Sequence, residues 1–175
     1  MNEQIKSYMA FLLGFAALFS FAACTAQAKV REGELAYQCV SDSVVLQSVG
    51  DSIYTILTKS TEVHASIIGS KEHSDLRLRK SMRTILHFIL SDVDNVKCNT
   101  TVYGKFMPTF RLVFTYKKRQ CTLDYDFALK KWHVCNADGK RIKEFDLKST
   151  DMLRFALMIF PNDTFMNQLI NSKQP

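Results

Sequence analysis

Hydrophobic and polar positions follow two periods along this chain. Val45, Val49, Ile53, Ile56 and Leu57 recur at intervals of three and four, which predicts a helix from Ser41, capped by Ser41 or Asp42. Gly50 interrupts the stripe and weakens it by about 1 kcal/mol relative to alanine. Residues 63–70 fit either a continuation of that helix or a loop. A second helix is predicted over Asp75–Ser91, with Ser74 as its cap. Leu78, Met82, Ile85, Leu86 and Ile89 make its apolar face, and Arg79, Lys80, Arg83 and His87 gather on the other.

The period then becomes two. Val96, Cys98, Thr100 and Val102 alternate with Lys97, Asn99, Thr101 and Tyr103, and turn residues follow at 104–108. Phe110, Leu112, Phe114 and Tyr116 share one strand face, as do Cys121, Leu123, Tyr125 and Phe127 beyond Lys117-Lys118-Arg119. Trp132–Ala137 and Arg141–Leu147 read as strands joined by an Asp138-Gly139 turn. The end is helical again over Asp151–Phe160, stopped by Pro161, with a short last helix at Thr164–Asn171. The expected fold is α+β, with N-terminal helices packed on an antiparallel four- or five-stranded meander and a C-terminal apolar helix. This order is compatible with roll-like or cystatin-like architectures, and element order alone carries no function.

Residues 121–135, CTLDYDFALKKWHVC, predict a hairpin with Ala128–Lys131 as its loop. In that register Phe127 faces Trp132 and Tyr125 faces Val134. In the same register Cys121 lies opposite Asp138, and Cys135 lies opposite Asp124 on the other face. The two cysteines are therefore expected to pair with different partners, the alternative being a bulge near Arg119 or Cys121 that brings them together.

The first 28 residues change the picture of location. Met9–Ala23 is uncharged and mostly apolar, Lys6 precedes it, and Ala26-Gln27-Ala28 fits the small-x-small cleavage rule. The run is shorter than the roughly 20 residues a membrane span needs. Residues 1–28 are therefore read as a signal peptide and 29–175 as a single exported domain, secreted or periplasmic after cleavage near Ala28. Phe21-Ala22-Ala23-Cys24 resembles a lipobox with Phe where Leu is usual, and the alternative is a lipoprotein anchored at Cys24. Membrane association is expected only with lipidation at Cys24 or an uncleaved signal. Cleavage leaves four of the five cysteines, Cys39, Cys98, Cys121 and Cys135, an even count that in an exported chain suggests disulfides.

Cleavage removes one lysine and one glutamate, so the net charge of +6 is unchanged. The candidate surface for an anionic partner is Arg79, Lys80, Arg83, Lys117, Lys118, Arg119, Lys130 and Lys131, with Lys140-Arg141 also near a strand end. Alternate turns of a meander lie at opposite ends of the sheet, which argues against a single patch. The chain carries no G-x-S-x-G elbow, no phosphate-binding glycine loop and no H-x-x-x-H pair, so no catalytic residue, metal ligand or cofactor is assigned. Asp124 and Asp126 share a strand face that suits a cation or glycan, or is the ordinary polar face of a half-buried strand. The expected function is an exported, non-enzymatic binding or protein-interaction module whose partner is an unknown protein or an anionic envelope component or glycan, not nucleic acid. The alternatives are a hydrolase-type enzyme whose site forms only in the fold, using His133 with Asp124 or Asp126, and the lipid-anchored envelope protein.

Overall fold

Gly50 divides the first predicted helix in two. In the computed structural model, residues 40–49 form α1 and Asp51–Lys59 form α2, and Gly50 between them has φ 85°, a conformation that favours glycine. Both helices still bury the predicted stripe, through Val45, Val49, Ile53 and Ile56. The structure describes residues 40–70, 73, 75–98 and 104–171. The chain divides into the units Met1–Val40 and Ser41–Pro175, and all described residues but Val40 lie in the second. The expected signal peptide, the cysteine considered for lipidation, Cys24, and Cys39 fall outside the described residues.

The segment expected as helix or loop after α2 is instead a strand. β1 (Glu62–Ile67) reads Glu-Val-His-Ala-Ser-Ile, and Val63, Ala65 and Ile67 point into the core. The second predicted helix also begins later than its periodicity suggests. Leu76–Arg77 form a two-residue strand, β2, before α3 (Lys80–Leu90). Ile85, expected on the apolar face, is exposed, while Leu86 and Leu90 are buried. The strand predicted from Val96 does not form at its start. Val93–Val96 make a single turn of 3-10 helix, and the remainder lies largely outside the described residues.

The meander follows as β3 (Phe110–Tyr116), β4 (Arg119–Asp126), β5 (Lys131–Asn136) and β6 (Arg141–Asp146). With β1 and β2 the sheet has six antiparallel strands in the order β2-β1-β3-β4-β5-β6, one more than the largest number expected. α4 (Asp151–Ile159) and α5 (Thr164–Asn171) close the chain. Asp151 N–H donates to the Ser149 hydroxyl at 2.8 Å, so Ser149 satisfies one free donor at the start of α4.

One core joins the helices to one sheet face. Val63, Ala65, Phe110, Leu112, Phe114, Leu123, Tyr125, Trp132, Val134 and Phe145 meet Val45, Ile53, Leu86, Met152, Phe155 and Met166 in it. Full burial of each large apolar side chain contributes about 1.5–3 kcal/mol. Helices on a single face leave the opposite face of the sheet free for polar groups.

Candidate functional site

Antiparallel pairing decides which charges meet. Glu62 of β1 lies opposite Thr115, Tyr116 lies opposite Arg119, and Cys121 lies opposite Asn136. The start of β1, the β3–β4 turn at Lys117-Lys118 and the β5–β6 turn therefore share one end of the sheet. His64 lies opposite Arg77, and Leu78 N–H donates to the Val63 carbonyl, which carries Arg79 and Lys80 to the same end. The Arg83 guanidinium donates to the Thr61 carbonyl there. Arg79, Lys80, Arg83, Lys117, Lys118 and Arg119 thus converge, from β2 to β4, over about 15 Å at ~4.8 Å per strand.

Lys130 and Lys131 do not join them. They sit in and after the β4–β5 turn, at the opposite end, and Lys131 is held by Glu144 at 2.5 Å. The meander rule, that alternate turns lie at opposite ends of the sheet, holds for these two lysines. It does not apply to the other six, because β1 and β2 fold the helical cluster back beside the β3–β4 turn. Two further cations on the basic end escaped the sequence reading. Lys59 ends α2 just before β1, and Arg77 lies on β2. A strand at 62–67 was the missing signal, since it alone sets Lys59 and Arg77 beside the turn.

The electrostatics of the two ends differ. Among the described residues, none of the six converging cations forms an ion pair with a carboxylate. Arg119 donates to the Ser52 hydroxyl at 3.4 Å, and the Lys117 ammonium lies 5.4 Å from the Tyr116 ring centroid. Glu62, the carboxylate at this end of β1, already faces His64 at 3.3 Å and Arg77 at 3.6 Å. At the far end Lys97 is matched by Asp94 at 2.5 Å and Lys131 by Glu144, whereas Lys130 has no carboxylate partner among the described residues.

His64 fastens this end. Its Nδ1 meets Asp75 at 2.6 Å and its Nε2 meets Glu62, joining the residue before β2 to β1. The Asp75 hydrogen bond raises the His64 pKa above 6.5 against the opposing effect of burial. A pKa raised on folding stabilises the protein below the unfolded value and ceases to do so as pH rises through the folded one. His64→Gln is therefore expected to lower Tm most below pH 6.5 and to match the parent in alkaline solution. A Tm difference that did not shrink with rising pH would show that protonation of His64 is not involved.

The outer sheet face carries a second polar arrangement. Arg111, Asp124, His133 and Glu144 lie opposite one another in turn, forming a row across β3 to β6. Arg111 donates twice to Asp124, at 2.7 and 2.9 Å. His133 Nε2 meets Glu144 at 2.8 Å, and Glu144 also accepts from Arg141 at 2.8 Å. The Phe106 ring stacks on His133 with centroids 3.4 Å apart. Burial pushes the His133 pKa below 6.5 despite Glu144, so the imidazole is neutral near pH 7. The Lys131 ammonium holds the Glu144 carboxyl below its usual range.

His133 and Asp124 do share the row, but the carboxylate that His133 contacts is Glu144. Asp126 turns away to accept backbone N–H groups from Met107, Ala128 and Leu129. The two aspartates are thus two separate structural acceptors on one face. Among the described residues, no cluster of three or more His, Cys, Asp or Glu side chains could hold a metal ion.

The cysteine expectation requires correction. Cys98, Cys121 and Cys135 are free thiols, so no disulfide joins them. Cys121 faces the core opposite Asn136, and Cys135 faces outward opposite Thr122, which keeps the two apart as the sequence argued, though in a different register. Burial pushes the Cys121 thiol up to about 12 and also raises that of Cys135, so both remain protonated and unreactive. Cys98 donates to the Glu144 carbonyl at 2.8 Å along the outer edge of β6. Among the described residues, no helix is long and apolar enough to cross a membrane. Compared with protein-family models, curated proteins and solved structures, the chain matches none.

Proposed function

We propose that this protein is an exported, non-enzymatic binding module that engages an anionic glycan through the basic end of its sheet. The observation that supports this reading is the convergence of Arg79, Lys80, Arg83, Lys117, Lys118 and Arg119, which have no carboxylate partner among the described residues. Six unmatched charges raise the local concentration of a polyanion and steer its approach. Arginine forks supply directional contacts to carboxylate or sulfate groups, and lysines supply compact point charges.

A glycan fits this surface better than a lipid bilayer does. Interfacial binding requires large apolar side chains that enter the headgroup region. Leu76 on β2 and Ile85 on α3 are only just exposed, and the far more exposed Phe88 lies about 12 Å along the helix from Lys80 at 1.5 Å per residue. Export follows from the reading of residues 1–28 and accounts for access to such a glycan.

The test is binding of the purified protein to immobilised heparin and alginate. Retention that weakens steeply with added salt is expected, with neutral dextran giving none. Arg79→Ala, Lys80→Ala and Arg83→Ala combined are expected to weaken retention about tenfold or more, at about 1 kcal/mol per cation near an anionic surface. Unchanged retention in that triple variant, or equal retention on dextran, would refute the assignment.

A further inference from the structure

Lys117 and Lys118 form the two-residue connection between β3 and β4, and both have left-handed backbones, at φ 46° and 65°. Positive φ at both central positions is the signature of a type I′ turn, where Asn-Gly is the preferred sequence because those residues accept this conformation at little cost. A left-handed residue with a Cβ is strained, and here the strain is incurred twice in succession. The same turn brings two exposed ammonium groups to the outermost point of the basic end. Tyr116 at its base is half-buried and lies under Lys117.

On the reading given under the proposed function, we infer that the Lys117-Lys118 turn is the principal contact for the acidic glycan, and that these lysines hold their strained positions for charge rather than for folding. Backbone strain of this kind marks a local choice that folding alone does not favour. Lysine ammoniums are point charges without the planar fork of arginine, so this contact reads charge density more than the identity of the anion. Heparin is accordingly expected to bind more tightly than alginate, in proportion to its higher density of charge. Lys130 provides an internal comparison. It is also left-handed, at φ 53°, but occupies the opposite end of the sheet.

The experiment measures Tm and heparin affinity on the full chain for four proteins. The double variant Lys117→Asn, Lys118→Gly is expected to melt about 4–8 °C higher than the parent, because two strained positions are relieved. It is expected to bind heparin about 10- to 30-fold more weakly, because two charges are lost. Lys117→Ala with Lys118→Ala is expected to lose the same affinity without the rise in Tm, since alanine retains the steric cost. Lys130→Gly is expected to melt a few degrees higher with unchanged affinity.

A double variant that binds heparin as tightly as the parent overturns the assignment of the turn while leaving the basic end as a whole intact. A double variant that melts no higher overturns the claim of strain. Binding to phosphatidylglycerol vesicles with no binding to either glycan overturns the glycan class. Failure of the unaltered protein to bind either glycan overturns the parent reading and this one with it.

Discussion

Replacing Trp132 with alanine is expected to destabilise the protein by about 3–5 kcal/mol, the range for deleting a buried aromatic side chain. Trp132 is one of the largest fully buried side chains and lies between two other rings, 5.7 Å from Tyr125 and 4.7 Å from Phe145. Its Nε1–H donates to the Asn95 carbonyl at 2.7 Å. Asn95 sits in the 3-10 turn, so this bond ties the segment entering the meander to the middle of the sheet. Alanine removes the packing and leaves a buried carbonyl unpaired, which itself costs about 1–3 kcal/mol. Set against a total stability of about 5–15 kcal/mol, the alanine variant is expected to be partly unfolded at 37 °C.

Trp132→Phe separates the two contributions. Phenylalanine retains a ring between Tyr125 and Phe145 but cannot donate to Asn95, so a loss of about 1–3 kcal/mol is expected. Urea denaturation followed by circular dichroism measures both variants, since the substitution removes the only tryptophan and its fluorescence. Equal midpoints for the alanine variant and the parent would contradict the central place of this ring.

The same hairpin shows where the sequence is legible and where it stops being so. The alternation of Cys121, Leu123 and Tyr125 with polar residues, and of Trp132 and Val134 with theirs, places each on the correct face. The register differs from the expected one, since Tyr125, not Phe127, lies opposite Trp132. The turn begins one residue earlier than expected, because the Asp126 carboxylate accepts from Ala128 and Leu129 and draws Phe127 out of the ladder. A shift of two residues keeps every side chain on its face, so hydrophobic patterning cannot detect it. Turn chemistry decided the register, and it depended on a side chain whose position the pattern left open.

The N-terminal half was less legible for a different reason. β1 has only six residues and follows a helix directly, so its alternation is too brief to outweigh helical continuation. β2 has two residues and exists because β1 offers an edge and His64 grips Asp75, both tertiary facts. Misreading these strands concealed the basic end, because the six cations are scattered over 41 positions and only the sheet brings them together. Charge count alone raised the expectation of an anionic partner, whereas the place of the cations in the fold required the topology.

Asp126→Ala is expected to cost about 3–4 kcal/mol, through the three backbone donors it leaves behind. Its Oδ1 accepts from Ala128 and Leu129 at 3.0 and 2.9 Å, and its Oδ2 accepts from Met107 at 2.7 Å. The residue is 2% exposed, so water cannot readily replace these bonds. Hydrogen bonds to a charged group contribute about 1.5–3 kcal/mol each, and three to one carboxylate fall short of a simple sum. Asparagine retains one acceptor oxygen and exchanges the other for a donor facing a donor, so about half the loss is expected from Asp126→Asn. The local consequence is as specific as the global one. Met107 belongs to the segment that lays Phe106 on His133, so releasing it uncovers the imidazole and exposes the row from Arg111 to Glu144. Hydrogen exchange should show the Met107, Ala128 and Leu129 amides losing protection together, with Leu112 and Val134 changing only through the lower global stability. Retained protection at those three amides would mean that the backbone of the turn and the 104–108 segment stand without the carboxylate, and that the register of the hairpin has another cause.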